Sequence, residues 1–537
     1  MKNNKVLVLL IIAYIIAMFS VISWGLPNEA RPFTYNMDEW HQLSAVRALF
    51  NYGTPNVAGA AHGSIFQFFL SGIYLIPFVI FGFVDPFAIQ SSIDNPVMQE
   101  RLFIIMRLNT LLFGVLSIII LAIIIKKYFN SNPILVSALL LFTPIWLTLS
   151  SYFKYDIALV FWVTLSILSL LHYAKYPTLR SFILCAIPCA LSFATKVSAA
   201  PMLLIYILSF FWFTPNWKKK FKHLAIGIMV FSALFITLGI PDLVFRWGNY
   251  TEYLSSNIVL TPKQDGNYQL GVSNIWIYVL FVLFPMIFGH TFYILFLIAF
   301  IYWLIQIVKW FYFRKYFNHK NDVFLFFSLV LFLLSLIPLG LGATGNRLLV
   351  LLPFFGLLSV RFITHILRFS RHKVYFMIFI GVLVLVQLYE SSVVIYTKYS
   401  KNTLQKSSEW LTQNIPKGTV IGIENIPIYQ TLPDIVLREY YLIQSNKYAK
   451  TNYAYSVIDM SSEKLPKIVI ITNRYVHEKY LIKSPKKDML KRLRKENYKV
   501  VKEFMPNPHL YKLFYNDLDY YTSGLNFVLP VTIYKKD

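Results

Sequence analysis

Acidic residues are scarce in this 537-residue chain, with 25 Asp and Glu against 50 Lys and Arg, so their positions carry information. Asp38 and Glu39 stand side by side in Tyr35-Asn36-Met37-Asp38-Glu39-Trp40-His41, just after a first apolar run. Two adjacent carboxylates there suit general-base work or the holding of a cation. Equally, Asn36 or Asp38 suits the N-cap of a helix running from Glu39 to Asn51. Asp156 closes Ser150-Ser151-Tyr152-Phe153-Lys154-Tyr155-Asp156, between two further apolar runs. A carboxylate at a membrane edge is a functional residue by default; the plainer reading is an N-cap paired locally with Lys154. Lys196 interrupts an apolar stretch, and Arg347 follows Gly342-Ala343-Thr344-Gly345-Asn346. A buried anion such as a lipid phosphate would explain each, and so would snorkelling to ordinary headgroups. His62-Gly63 opens another apolar stretch, where a lone histidine is more often structural than a ligand.

These residues must be positioned by membrane helices. The chain is 57% hydrophobic and 14% charged, where soluble proteins carry about a quarter charged residues. Its long apolar runs exceed the ~20 residues that cross a bilayer core, and lipid permits only helices there. The first run, Val6 to Trp24, follows Lys2 and Lys5 and lacks a small-residue cleavage site, so it reads as an uncleaved span. The net charge of +25 reflects the cytoplasmic bias of Lys and Arg, and no nucleic acid partner is implied. Cys185 and Cys189, four apart on one apolar helix, read as buried packing.

Basic clusters fall at Lys2/Lys5, Lys126/Lys127, Lys175/Arg180, Lys218–Lys222, Lys309–Lys320 and Arg361–Lys373. If all are cytoplasmic, an even number of crossings separates each pair. Spans at 6–24, 102–125, 133–151, 157–174, 181–195, 197–213, 224–240, 290–308, 323–340, 348–366 and 374–395 satisfy this, giving about eleven crossings. The stretches 65–84 and 275–288 are then expected to lie along the outer surface or dip into it. Asp38, Asp156, Lys196 and Arg347 all fall on the outer side, the first in a long loop over 25–101. The domain expectation is a membrane domain over 1–395 and an extracytoplasmic one over 396–537. In the latter, Thr403–Asn414 and Ser484–Asn497 have helical spacing. Thr419–Glu424, Lys467–Thr472, Val500–Phe504 and Phe527–Tyr534 read as strands. This is a small α/β domain without a Gly-rich phosphate loop.

In order and spacing, these motifs resemble the GT-C superfamily of membrane glycosyltransferases. The protein O-mannosyltransferases and bacterial aminoarabinose transferases are nearest in pattern. Asp38-Glu39 is similar to the acidic pair of the first outer loop, and His62-Gly63 to a His-Pro-Pro or His-Gly-Pro. Arg107 to Phe129 resembles a stretch that begins Arg-Leu and ends in a basic pair. Pro144 to Asp156 resembles the segment ending in a second acid, and Thr195-Lys196 a helix-closing Thr-Lys. Arg347 to Pro353 resembles Arg-Tyr-Leu-Leu-Pro, and the tail from Ser408-Glu409-Trp410-Leu411 an extracytoplasmic domain. Ser150-Ser151 departs from a common Ser-Arg, and Leu348 from the Tyr after the arginine.

The resemblance implies an all-α polytopic membrane domain of GT-C type plus the small α/β domain. It implies transfer of a sugar from a polyprenyl-phosphate donor to an acceptor hydroxyl on a lipid, glycan or protein. Asp38 would be the base, Glu39 would orient the loop or bind acceptor, and Asp156 would be a second acid. Lys196 and Arg347 would bind the donor phosphate, with His62 and Lys154 as further substrate contacts. A single base without a separate nucleophile implies inversion. No cofactor is expected; a divalent metal held by the first-loop acids, as in the oligosaccharyltransferase branch, is the alternative. The expected location is the bacterial plasma membrane, with the N-terminus cytoplasmic. The competing functions are a flippase or transporter, and a polymerase or ligase, of lipid-linked glycans. A transporter would show internal repeats and midplane polar residues; here no repeat is visible and the polar residues gather on one face.

Overall fold

The computed structural model describes residues 2–28, 31, 34–52, 65–90, 96–241, 244, 247, 248, 251, 276–313, 320–337, 345–369, 371–399, 402–423, 433–436, 439, 456–459, 465–472, 485–505 and 530–536. The helices are α1 (Lys2–Val21), α2 (Met37–Tyr52), α3 (Ile65–Ile80), α4 (Pro86–Gln90), α5 (Pro96–Phe129), α6 (Pro133–Leu141) and α7 (Pro144–Ser150). Next come α8 (Tyr155–Lys175), α9 (Leu179–Thr195), α10 (Pro201–Phe213), α11 (Phe221–Leu238), α12 (Phe284–Phe288), α13 (His290–Phe313) and α14 (Lys320–Leu336). They are followed by α15 (Gly345–Leu348), α16 (Leu352–Phe369), α17 (Lys373–Tyr399), α18 (Thr403–Asn414) and α19 (Pro485–Lys495). The chain is an integral membrane protein. Among the described residues six helices are long and apolar enough to cross a bilayer, and five shorter apolar helices accompany them.

The expected single span over 133–151 is instead a broken pair, α6 and α7, bent by 70°. The cause is Pro144, which lacks an N–H and cannot continue α6. The break strands the Phe142 carbonyl inside the bundle. Gln387 Nε2 donates to it at 2.8 Å and the Ser391 hydroxyl donates as well, both from α17. Stretch 65–84, expected to lie along the outer surface or dip into it, contains α3, which packs on α2, α5 and α9.

One end of the bundle is stapled by polar contacts among helix ends. Arg361 on α16 forks onto Asp322 of α14 at 2.7 and 2.8 Å and reaches the Phe129 carbonyl that ends α5 at 3.0 Å. Tyr173 bonds Thr214, and Tyr128 lies 3.5 Å from His172. This end carries Lys126, Lys127 and Lys175. Cys185 and Cys189 are buried in the core as free thiols.

Beyond α17, five strands form one mixed sheet in the order β2-β1-β3-β5-β4. They are β1 (Val420–Ile423), β2 (Ser456–Asp459), β3 (Ile468–Thr472), β4 (Tyr498–Phe504) and β5 (Val531–Lys536). β1 pairs in parallel with β2 and β3, while β5 lies antiparallel to both β3 and β4. β3 is buried at every position, which its run Ile-Val-Ile-Ile-Thr requires. β2 was not expected from the sequence. α18 covers the sheet, and a core of Leu404, Leu411, Ile421, Ile470 and Ile533 also includes Tyr35 of the loop after α1.

Candidate functional site

The site grows from the start of α2. Asn36 caps that helix: its Oδ1 accepts the Asp38 N–H at 3.1 Å. The cap is therefore Asn36 and not Asp38, which leaves the Asp38 carboxylate for another partner. From its first two turns α2 grips the strand-like entry to α8. The Phe153 N–H donates to Glu39 Oε1 at 2.8 Å and the Tyr155 N–H to Gln42 Oε1 at 2.9 Å. Between them Lys154 Nζ donates to Asp38 Oδ2 at 2.5 Å.

From Lys154 the charges continue. Its ammonium lies 3.6 Å from Asp156 Oδ2, and Asp156 Oδ1 accepts from Lys196 Nζ at 2.6 Å. Asp156 does not cap α8; the position before the helix is Lys154, which makes no side-chain cap bond. The result is an alternating row, Asp38–Lys154–Asp156–Lys196, joining α2, the α7–α8 turn and the α9–α10 break. Arg347 stands close enough for its charge to work against that of Lys196. Two carboxylates against three cations leave one positive charge in excess. The ends of the row are its open members: Asp38 is 44% exposed and Lys196 17%, against 3% for Lys154 and 1% for Asp156.

These neighbours set the protonation states. Lys154 holds Asp38 below the usual carboxylate range, outweighing the burial that opposes it. Burial disfavours the Lys154 charge, but Asp38 and Asp156 overcome it and raise its pKa. Burial, with the like charges of Lys154 and Arg347, holds Lys196 below the ordinary lysine range despite Asp156.

Glu39 has a different fate from its neighbour. Its carboxylate is wholly buried and takes Arg107 Nε at 2.8 Å and Nη2 at 2.7 Å, in addition to the Phe153 N–H. The Arg107 Nη1 donates to the Ile22 and Trp24 carbonyls at 2.6 and 2.7 Å. Expected to orient the loop or to bind acceptor, Glu39 is placed where only the first is open to it. The structure thus brings Asp38, Glu39, Lys154, Asp156, Lys196 and Arg347 to one end of the bundle, while His62 lies outside the described residues. Among the described residues no three His, Cys, Asp or Glu side chains converge as metal ligands. Both acids of the row face ammonium groups and Glu39 is filled by Arg107, so this donor set does not fit a metal.

Sequence reasoning missed four participants. Arg107 enters the sequence reading only as a motif start, although an arginine at the head of the long apolar run of α5 is itself a signal. Gln42, Lys398 and Asp434 gave none. Lys398, near the end of α17, bonds the Ser151 hydroxyl and lies 4.5 Å from the Tyr152 ring and 5.4 Å from that of Trp24. Asp434 accepts from the Tyr35 hydroxyl at 3.3 Å and lies 3.7 Å from Arg31. Gly25 admits this packing: its φ is +67°, and a Cβ there would sit 2.4 Å from the Tyr35 ring.

Comparison with known proteins finds a likeness over one part of the chain. Residues 99–240 match the family described as dolichyl-phosphate-mannose-protein mannosyltransferase. That range holds Arg107, Lys154, Asp156 and Lys196 and leaves Asp38, Glu39 and Arg347 outside. None of the curated proteins matches the sequence. Among solved structures, the Archaeoglobus fulgidus oligosaccharyltransferase in complex with Zn and sulfate is 15% identical at a TM-score of 0.46. The match covers 78% of this chain and 60% of that one, so the chain spans less than two thirds of its length. ArnT from Cupriavidus metallidurans, bound to undecaprenyl phosphate, is 12% identical at 0.42, with 98% and 97% covered. The S. cerevisiae protein O-mannosyltransferase Pmt1-Pmt2 complex bound to the sugar donor is 14% identical at 0.34, with 47% and 34% covered. The likeness to the protein mannosyltransferase family thus covers residues 99–240, about a quarter of the chain.

Proposed function

We propose that this protein moves a sugar from a polyprenyl-phosphate donor to an acceptor hydroxyl, with inversion, on the extracytoplasmic face. The observation that carries the reading is the alternating row with its two open ends. Asp38, ionised and exposed, accepts the proton of the acceptor hydroxyl as the oxygen bonds to the anomeric carbon. The bond from that carbon to the donor phosphate breaks. The phosphate leaves with added negative charge, which Lys196 and Arg347 receive from fixed positions. Lys154 and Asp156 bridge the two ends and set their spacing. Glu39 is a positioning residue, and the lysines make a metal unnecessary.

In this reading the membrane domain extends to about residue 395 and the extracytoplasmic domain follows it. Packing of Tyr35 into the core of the sheet domain supports placing the two on one side of the membrane. The staple of Arg361 and the basic helix ends support a cytoplasmic location for the opposite end. A plasma membrane of bacterial type suits such a donor. The test is mass spectrometry of envelope glycans and glycoproteins from a deletion strain, complemented by the wild type or Asp38→Asn. One missing sugar, restored by the wild type alone, is expected; unchanged glycans would overturn the proposal. A reporter fused after Asn414 should read extracytoplasmic and one near Lys220 cytoplasmic.

A further inference from the structure

Lys398 is 4% exposed, yet its ammonium has no carboxylate within salt-bridge distance among the described residues. It is held by the Thr148 carbonyl at 3.3 Å, by the Ser151 hydroxyl, and by the ring faces of Tyr152 and Trp24. A lysine this deeply buried without a carboxylate in salt-bridge reach costs stability, so packing alone does not account for it. What it grips is the turn that leads from α7 into Phe153, Lys154 and Asp156. Four residues on, Asn402 caps α18: its Oδ1 accepts the Gln405 N–H at 2.9 Å. The same side chain turns its Nδ2 to the Tyr35 hydroxyl at 2.7 Å. Tyr35 is three residues before Asp38, and its hydroxyl in turn donates to Asp434 of the sheet domain.

We propose that Lys398, near the end of the last membrane helix, and Asn402, at the start of α18, are positioning residues that hold the two halves of the site. Lys398 holds the half carrying Lys154 and Asp156. Asn402, through Tyr35, holds the half carrying Asp38. The sheet domain, bound to Tyr35 through Asp434, thereby sets the register between base and phosphate-binding cations. This rests on the functional reading above for its meaning, though not for its test.

The test uses full-length protein in lipid nanodiscs and hydrogen–deuterium exchange of two peptides, one spanning 34–39 and one spanning 151–156. The Phe153 and Tyr155 amides bond to side chains of α2, so their exchange reports the grip between the halves directly. Lys398→Met keeps the length and removes the charge. Tyr35→Phe keeps the ring over Trp24 and Arg31 and removes the hydroxyl. Each variant should speed exchange in both peptides, with the rest of the chain unchanged. The Lys398→Met unfolding temperature should be held or raised, because a buried charge has gone. The double variant should lose less than the sum of the two, since one device is broken twice. Loosening confined to each variant's own peptide, or a chain-wide loss with a lowered unfolding temperature, would overturn the proposal. Binding of undecaprenyl phosphate to the wild type is measured beside it. Failure there would sink the functional reading while leaving the exchange result to stand or fall alone.

Discussion

Asp38 and Glu39 are neighbours in sequence and opposites in structure. The Glu39 side chain is wholly buried and its oxygens are filled by Arg107 and a backbone N–H. The Asp38 side chain is 44% exposed and shares one lysine with Asp156. The first is a lock and, in the proposed function, the second is the working group that the lock keeps in place. Glu39 ties α2 to α5 and to the Phe153 backbone, so that the row built on Asp38 meets α8 in one register. A single acidic pair in a sequence thus divides its labour by which side of the helix each member faces.

The largest effect that would test this contrast belongs to Asp38→Asn. Removing a general base costs about 10²- to 10⁴-fold in turnover, with folding and donor binding retained. Since Asn36 holds the cap, a fully active variant would have no capping explanation, and Asp156 would become the first candidate base. Glu39→Gln should instead act on the fold. It leaves the Arg107 charge buried beside a neutral amide, and breaking such a pair costs about 3–5 kcal/mol. Thermal unfolding in detergent would show it. If Glu39→Gln were as stable as the wild type but inactive, the contrast between the neighbours would be wrong.

Arg347→Ala should lower turnover on the order of 10²-fold by removing a preorganised cation from the departing phosphate. Affinity for undecaprenyl phosphate should fall with it, while affinity for acceptor holds; near-normal binding would return Arg347 to snorkelling. The smallest effect is a shift in pH dependence. Lys154 keeps the Asp38 pKa low, so the carboxylate stays ionised, and the pair intact, until the pH falls below the usual carboxylate range. Lys154→Met removes the dominant influence, so the Asp38 pKa rises. The acid limb of the pH–rate profile should then move to higher pH. A limb that stays in place would mean another group is the base.

The charge count along the chain made most of this legible. Intramembrane charges are rare, so Asp156, Lys196 and Arg347 stood out, and the structure joins Asp156 to Lys196 across 40 residues of sequence. Helix α18 was readable from its spacing at Thr403–Asn414, and β3 from its apolar run. What stayed hidden depended on distant partners. Lys398 looks like an ordinary helix-end lysine until Ser151, 247 residues earlier, comes beside it. The break at Pro144 hides because the carbonyl it strands is satisfied by Gln387 and Ser391, far along the chain. Strand β2 is short and half polar, Ser-Val-Ile-Asp, and only its pairing with β1 identifies it.

The link from Tyr35 to Asn402 and Asp434 also has a consequence for how the protein is made. Asp38 leaves the ribosome early, whereas the groups that anchor its loop come almost 400 residues later. At roughly 5–20 residues per second of synthesis, the first loop waits tens of seconds beside the bilayer before its partners are translocated. Until then Asp38 has its lysine but not its fixed frame. On the proposed function, transfer would therefore be switched on by completion of the chain, and a chain truncated after residue 399, which keeps α17 but lacks Asn402 and Asp434, should insert fully yet transfer nothing.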